Sequence, residues 1–133
     1  MIWVVDTSAL IRLFVPDGPL PETLERAILS AERGEDALLA PDLILAEAGQ
    51  VLHKKRLANL LTDEDVELLI THILSLPLRI TPHSDILTSA CKIAPRASLT
   101  VYDALFLALA EKHRARLITA DSALQAAADR MGI

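Results

Sequence analysis

The sequence predicts an α/β fold, a three-layer α/β/α sandwich with a central parallel sheet, and three features lead to this prediction. Short apolar runs rich in β-branched residues alternate along the chain with longer segments whose apolar residues recur at helical spacing. Proline, glycine and capping residues mark most of the boundaries between them. Because strands separated by helices are joined by right-handed crossovers, they form a parallel sheet that is covered on both faces.

Four short apolar runs are the predicted strands, at residues 2–6, 37–40, 78–81 and 116–120. The first run reads Ile-Trp-Val-Val-Asp, so it is apolar up to its last residue. Continuous apolar runs of this kind are typical of parallel strands, which are buried on both faces. We therefore expect all four to lie side by side in one sheet.

The predicted helices occupy residues 7–14, 20–33, 42–56, 62–76, 83–94, 100–113 and 121–132. A loop rich in proline and glycine at 15–19 separates the first two, and Gly34 ends the second. Thr62 opens the fourth with a capping-box pattern, and Pro95 is predicted to stop the fifth. The sixth begins at Thr100 and is apolar on nearly every side, so we expect it to be buried.

Length and composition favour one domain that spans the 133 residues, with an aliphatic core because only 3% of the residues are aromatic. Cys91 is the only cysteine, which excludes an intramolecular disulfide and a cysteine-based zinc site. We find no targeting segment and no apolar run long enough to span a bilayer. The sequence therefore predicts a cytoplasmic protein that does not enter the membrane.

The formal net charge of −5 argues against a protein that binds nucleic acid through overall positive charge. If four carboxylates bind metal, however, the rest of the chain carries only −1. The acidic total is thus compatible with a phosphate substrate that is bridged by a metal ion.

Four carboxylates stand in apolar surroundings, whereas the other acids lie in polar stretches; the four are Asp6, Glu47, Asp103 and Asp121. Asp6 ends the first predicted strand and Asp121 follows the fourth, so both belong at the edge where α/β sheets bind ligands. Each acid also has a simpler interpretation. Asp6 and Asp121 can cap the helices that follow them. Glu47 can be a surface residue beside an apolar stripe, and Asp103 can form a capping box with Thr100.

Together, the four acids favour a metal site over four unrelated roles. Clustered carboxylates repel one another, so at neutral pH they need a cation or raised pKa values. An all-oxygen ligand set suits Mg²⁺ or Mn²⁺, and no His- or Cys-rich set suggests zinc. Such an ion can activate a water for in-line attack on a phosphodiester.

Several stretches of the chain resemble the PIN domain family, and more narrowly the VapC-type toxins of toxin–antitoxin pairs; they are residues 4–10, 41–47, 102–104 and 117–121. The resemblance implies an endoribonuclease that binds Mg²⁺ or Mn²⁺ at Asp6, Glu47, Asp103 and Asp121. It also implies that Ser8 and Thr119 support these acids through hydrogen bonds. Many relatives add an edge strand after the last helix, but this chain stops at Ile133, so we expect four strands.

The resemblance further implies partners: an RNA substrate, a second copy of the chain in a homodimer, and a VapB-like antitoxin that covers the acidic site. The candidates for RNA contact are the basic residues Arg12, Lys54, Lys55 and Arg56. The run at 53–56 has an alternative role, since cations at the end of a helix complement its dipole.

Two other functions stay open at this point. A PIN-fold binding or scaffold protein would keep the acids but have little nuclease activity, and its acidic surface would bind a basic peptide. A phosphatase of another α/β fold is less well supported, because residues 6–8 lack the second aspartate of an aspartyl-phosphate motif.

Overall fold

The computed structural model describes all 133 residues and contains one four-stranded sheet. Its strands are β1 (Ile2–Val5), β2 (Ala37–Pro41), β3 (Leu78–Thr81) and β4 (Arg116–Ile118). They are ordered β3-β2-β1-β4, and every neighbouring pair is parallel. The predicted parallel sheet is confirmed, and no fifth strand is present.

Seven helices surround the sheet: α1 (Thr7–Ile11), α2 (Glu22–Glu32), α3 (Leu43–Leu57), α4 (Asp63–Ser75), α5 (Leu87–Ala97), α6 (Val101–His113) and α7 (Ser122–Arg130). A 3-10 turn, His83–Asp85, precedes α5. The Thr62 capping box is formed as predicted, with reciprocal bonds to Asp65. With helices on both faces of a parallel sheet, the molecule is the three-layer α/β/α sandwich that the sequence predicts.

The core is aliphatic and continuous. It contains 33 buried hydrophobic residues, of which Phe106 is the largest fully buried side chain. In α6, seven successive residues, Ala104 to Ala110, are buried, which confirms the prediction for this helix. Burial of one large aliphatic side chain contributes about 1.5–3 kcal/mol. The central helix therefore holds its first turn rigidly against the sheet.

The prediction that Pro95 stops the fifth helix is wrong, because Pro95 lies inside α5. Proline in a helix interior removes one N–H donor and crowds the carbonyl four residues before it, at a cost of about 3 kcal/mol, but the preceding residues, Ile93 and Ala94, are buried in the core. Packing against α6 keeps the helix intact there. The helix ends instead where Ser98 adopts the left-handed conformation with φ 54° and ψ 42°.

The first helix is also shorter than predicted. It ends at Ile11, and residues 12–15 continue as tight turns in which Phe14 N–H donates to the Ile11 carbonyl at 2.9 Å. These turns lead into the proline- and glycine-containing loop at 15–19, which comes close to the acidic residues described below.

No single helix is long and apolar enough to cross a membrane. The helices α5 and α6 satisfy that length and composition only as a pair, and they meet at a bend of 113°.

Candidate active site

The carboxyl ends of β1 and β4 lie side by side, and this register brings two of the predicted acids together. Val5 pairs with Ile118, and the Asp6 N–H donates to the Ile118 carbonyl at 3.1 Å. Asp6 therefore follows β1 at the same edge at which Asp121 follows β4. Both residues sit between a strand and the helix that comes after it.

All four predicted acids line one pocket of about 350 Å³ at this edge: Asp6, Glu47, Asp103 and Asp121. They come from the end of β1, from α3, from the first turn of α6 and from the N-cap of α7. A larger pocket of about 730 Å³ lies elsewhere, but Glu111 is the only acidic side chain in its lining. The convergence of the acids, rather than pocket size, therefore identifies the candidate active site.

Asp6 is the most buried of the four, with 5% of its surface exposed, and it is the only buried charged residue in the protein. Its Oδ1 accepts from the Ala9 N–H at 3.1 Å, so it does cap α1. Ser8 Oγ donates to Oδ1 at 2.8 Å, and Thr119 Oγ1 donates to Oδ2 at 2.8 Å. Asp6 is thus both the N-cap of α1 and a lining residue of the acidic pocket.

Ser8 and Thr119 connect the Asp6 carboxylate to residues 119–121, the segment that follows β4. Ser8 Oγ accepts from the Ala120 N–H at 3.0 Å, and Thr119 Oγ1 accepts from the Asp121 N–H at 3.0 Å. The two hydroxyls are 3.2 Å apart. The sequence identified both residues, and the structure places them in direct contact with Asp6.

Two pocket carboxylates have raised pKa values. Burial raises the pKa of Asp6, the bonds from Ala9, Thr119 and Ser8 lower it in part, and the charge of Asp121 adds to the increase. Burial also raises the pKa of Asp103, and the charge of Asp121 again adds to it. Because Asp121 acts on both, the three groups share one electrostatic environment that a cation would relieve.

The other carboxylates are held at one oxygen only. Asp121 Oδ1 accepts from the N–H groups of Ala123 at 2.8 Å and Leu124 at 3.1 Å, so this residue caps α7. Glu47 Oε1 accepts from Thr7 Oγ1 at 2.7 Å. The remaining oxygens, Asp121 Oδ2 and Glu47 Oε2, have no hydrogen-bond partner in the protein and are available as ligands.

Asp103 stands in the first turn of α6, as the capping-box interpretation requires, but only half of that box is formed. Its N–H donates to Thr100 Oγ1 at 3.1 Å, which caps the helix. The reciprocal bond, in which the Thr100 N–H would donate to the Asp103 carboxylate, is not made, and the side chain lines the pocket instead.

The pocket fits a hard divalent ion by its chemistry but is not a closed coordination shell. No three His, Cys, Asp or Glu side chains are arranged to hold one ion together. Magnesium in proteins is often bound by one or two carboxylates and keeps several waters. The pocket offers carboxylate oxygens and neither His nor Cys, which suits Mg²⁺ or Mn²⁺ better than zinc.

The predicted basic residues have different surroundings. Arg12 lines the acidic pocket, and its Nη1 donates to the Pro19 carbonyl at 2.9 Å. Lys55 pairs with Asp17 at 2.7 Å, and Arg56 lies 3.4 Å from Asp63. Lys54 is exposed, and none of the three residues at 54–56 lines the pocket.

Sequence reasoning missed two residues of this pocket. Thr7 holds Glu47, and Asp17 brings a fifth carboxylate to the lining. The position of Thr7 directly after Asp6 was a usable signal, since it is polar and close to the strand end. Asp17 lies in a polar loop and carried no comparable signal.

Comparisons with known proteins identify the family and the fold of the chain. The PIN domain family matches residues 3–130. The chain is 32% identical to Ribonuclease VapC3 of Pyrobaculum aerophilum over 123 residues, which cover 91% of this chain and 90% of that protein. Its fold is similar to the crystal structure of PAE2754 from Pyrobaculum aerophilum, with a TM-score of 0.66 at 22% identity, over 98% of this chain and 92% of that one.

Proposed function

Because the chain belongs to the PIN domain family, we propose that it is a divalent-metal-dependent endoribonuclease, the toxin of a VapBC-type toxin–antitoxin pair. The observation that carries this proposal is the convergence of Asp6, Glu47, Asp103 and Asp121 on one pocket. These residues are far apart in the sequence, and three of them are linked electrostatically. Neighbouring strand ends account for the proximity of Asp6 and Asp121, but they do not account for Glu47 and Asp103, which reach the same pocket from α3 and α6.

The four acids would hold Mg²⁺ or Mn²⁺, either directly or through water. When bound, such an ion neutralises charge on the phosphate and lowers the pKa of a bound water. The protein contributes orientation: Ser8 and Thr119 fix the Asp6 carboxylate with hydrogen bonds that favour its ionised form. Thr7 fixes one oxygen of Glu47, and the other is free to orient a water beside the scissile phosphate. We expect products with a 5′-phosphate and a 3′-hydroxyl.

The direct test is cleavage of RNA by the purified protein in Mg²⁺, compared with the Asp6→Asn variant. We expect the rate to fall by about 10-fold to 100-fold or more, since loss of groups that only support the metal ligands already costs about 10–100-fold. A matched control is Asp85→Asn, because Asp85 is an exposed acid outside the pocket. Equal rates for wild type and Asp6→Asn, with both as active as the control, contradict the proposal.

The partner in this proposal is a VapB-like antitoxin whose C-terminal segment covers the acidic pocket. A cationic side chain that reaches the carboxylates would suit the charge of the lining. The homodimer and the cytoplasmic location stay predictions from the sequence. Co-purification with the product of a short gene directly upstream tests the partner, and a toxic phenotype that this gene does not suppress argues against the pair.

A scaffold or peptide-binding protein is the second candidate. It is favoured by the observation that no three His, Cys, Asp or Glu side chains are arranged to hold one ion. Calorimetric titration with Mn²⁺ separates the two functions. A nuclease requires metal binding that Asp6→Asn weakens, whereas a scaffold requires none. Saturable Mn²⁺ binding to wild type alone therefore removes the second candidate.

A further inference from the structure

The largest concave surface of the molecule lies at the amino ends of the strands, away from the acidic pocket. It consists of two adjoining pockets of about 730 and 330 Å³, which share Glu111 and Met131. We call this surface the arginine groove. Four arginines line it: Arg96, Arg114, Arg116 and Arg130.

The charge of the arginine groove is opposite to that of the whole chain. Glu111 is the only acidic side chain in its lining, whereas the chain carries a net charge of −5. None of the four guanidinium groups takes part in an ion pair. The only hydrogen bond from them joins Arg96 Nε to the Lys92 carbonyl at 3.1 Å. These cations are therefore free to meet an anionic ligand.

Helix ends explain part of this charge but not all of it. Arg96 and Arg130 lie in the last turns of α5 and α7, and Arg114 is the C-cap of α6, so all three lie where cations complement a helix dipole. Arg116 begins strand β4 and pairs in register with Trp3 of β1. Its guanidinium therefore adds positive charge that no helix end requires, next to the partly buried Trp3, whose indole N–H donates to Asp36 at 3.2 Å.

Two helices connect the arginine groove to the acidic pocket. From Asp103 to Glu111 α6 extends about 12 Å, and from Asp121 to Arg130 α7 extends about 14 Å, at 1.5 Å per residue. Both helices begin at the acids and end at the groove. The two surfaces thus keep a fixed separation.

We propose that the arginine groove binds the phosphate backbone of RNA, as a second contact outside the acidic pocket. This inference rests on the proposed nuclease function, which supplies the polyanion. Without a bound ion, a pocket lined by carboxylates repels phosphates, so cations elsewhere on the protein add to the attraction of the RNA backbone. The basic run at 53–56 is largely occupied, since Lys55 and Arg56 face Asp17 and Asp63. Arginine is also the side chain whose planar fork matches phosphate oxygens best.

The test measures RNA binding without cleavage. Fluorescence anisotropy follows a short fluorescein-labelled single-stranded RNA of mixed sequence in EDTA, between about 50 and 200 mM salt. The double variant Arg114→Gln/Arg116→Gln should bind RNA more weakly than wild type. Its plot of the logarithm of the binding constant against the logarithm of the salt concentration should have a slope less steep by about 1.4, because each lost phosphate contact on a single strand removes about 0.7.

A second groove variant and a charge-matched control accompany this measurement. If the first pair unfolds, as judged by circular dichroism, Arg96→Gln/Arg130→Gln probes the other half of the groove and should show the same change. The control, Arg26→Gln/Arg33→Gln, removes the same charge from exposed positions on and after α2, outside the groove. It should leave the salt dependence as in wild type.

A groove variant that matches the control in affinity and salt dependence overturns the inference. So does weaker binding of poly-L-glutamate with unchanged binding of RNA, which would assign the groove to an acidic protein partner. Because no metal is present, the result does not depend on whether the acids cleave RNA. Loss of cleavage in Asp6→Asn with intact groove binding would concern only the active site.

Discussion

Replacement of Thr119 by valine removes one hydroxyl from the carboxylate network and preserves the shape of the side chain. Thr119 Oγ1 donates to Asp6 Oδ2 at 2.8 Å and accepts from the Asp121 N–H at 3.0 Å. Asp6 has 5% of its surface exposed, so little water can replace the lost donor. A hydrogen bond to a charged group contributes about 1.5–3 kcal/mol. We expect the metal-free variant to lose about that much unfolding free energy at neutral pH.

The effect should depend on pH in a defined direction. Burial raises the pKa of Asp6, so the folded protein holds this proton more tightly than the unfolded chain does. The contribution of Asp6 to stability is therefore fully present below its ordinary pKa and is lost as pH rises through the raised one. The Thr119 hydroxyl offsets part of that loss, since it stabilises the ionised form. Thr119→Val should consequently be most destabilising at neutral pH and less so in acid.

Thermal unfolding followed by circular dichroism across pH measures this difference. For a chain of this size the expected loss corresponds to a fall in Tm of about 5–10 °C at neutral pH. Thr71→Val is the matched control, because the Thr71 hydroxyl donates to the Glu67 carbonyl at an exposed position of α4. The control should change stability by less than about 0.5 kcal/mol at every pH. A Thr119→Val loss no larger than that of the control, or larger in acid than at neutral pH, refutes this account of Asp6.

Three further predictions follow from particular residues. Asp6→Asn should raise the Tm of the metal-free protein at neutral pH, because it removes a desolvated charge, and this gain should disappear as pH falls through the raised Asp6 pKa. Thermal melts with and without Mn²⁺ should show that the ion stabilises the wild type only. Gly18→Ala should displace Arg12 and reduce RNA cleavage, since an added Cβ would lie 2.8 Å from Arg12 Cζ at a residue with φ +155°. The control Gly49→Ala meets nothing within 4 Å, so it should leave cleavage unchanged and raise the unfolding free energy by about 0.5–1 kcal/mol. Equal cleavage by the two variants contradicts this prediction. Leu109→Ala should cost about 2–5 kcal/mol in urea unfolding, because Leu109 is fully buried in α6, and a loss below about 1 kcal/mol would mean that this helix is not central to the core.

The fold could be predicted largely from local patterns, because its strands and helices alternate cleanly. Residues 78–81 match β3, and the Thr62 cap marks the start of α4 correctly. The errors occurred where packing overrides local preference. Pro95 is tolerated in α5 because its neighbours are buried against α6. A contact between two helices cannot be predicted from the few residues that surround Pro95 in the sequence.

The candidate site was predictable to the extent that strand ends identify it. Asp6 and Asp121 follow neighbouring parallel strands, so their proximity follows from topology alone. The partners that hold the acids depend on three-dimensional packing. The bond from Thr7 to Glu47 joins residues that are 40 positions apart, and no spacing rule leads to it.

Charge was the least predictable property, because the sequence shows cations but not their partners. The run at 53–56 looks like the strongest basic feature, yet two of its side chains face acids in the folded protein. The four arginines of the groove come from α5, the C-cap of α6, β4 and α7 and are scattered along the chain. Only the fold brings them together in the arginine groove.

Crystals grown with Mn²⁺ give the most direct measurement of the central claim, that four distant carboxylates form one metal-dependent centre. Anomalous difference maps should show a Mn²⁺ peak in the acidic pocket, within coordination distance of at least one carboxylate among Asp6, Glu47, Asp103 and Asp121. The same experiment on Asp6→Asn should give a weaker peak or none. A well-ordered pocket without a peak at saturating Mn²⁺, or a peak only at other surface acids, contradicts the account.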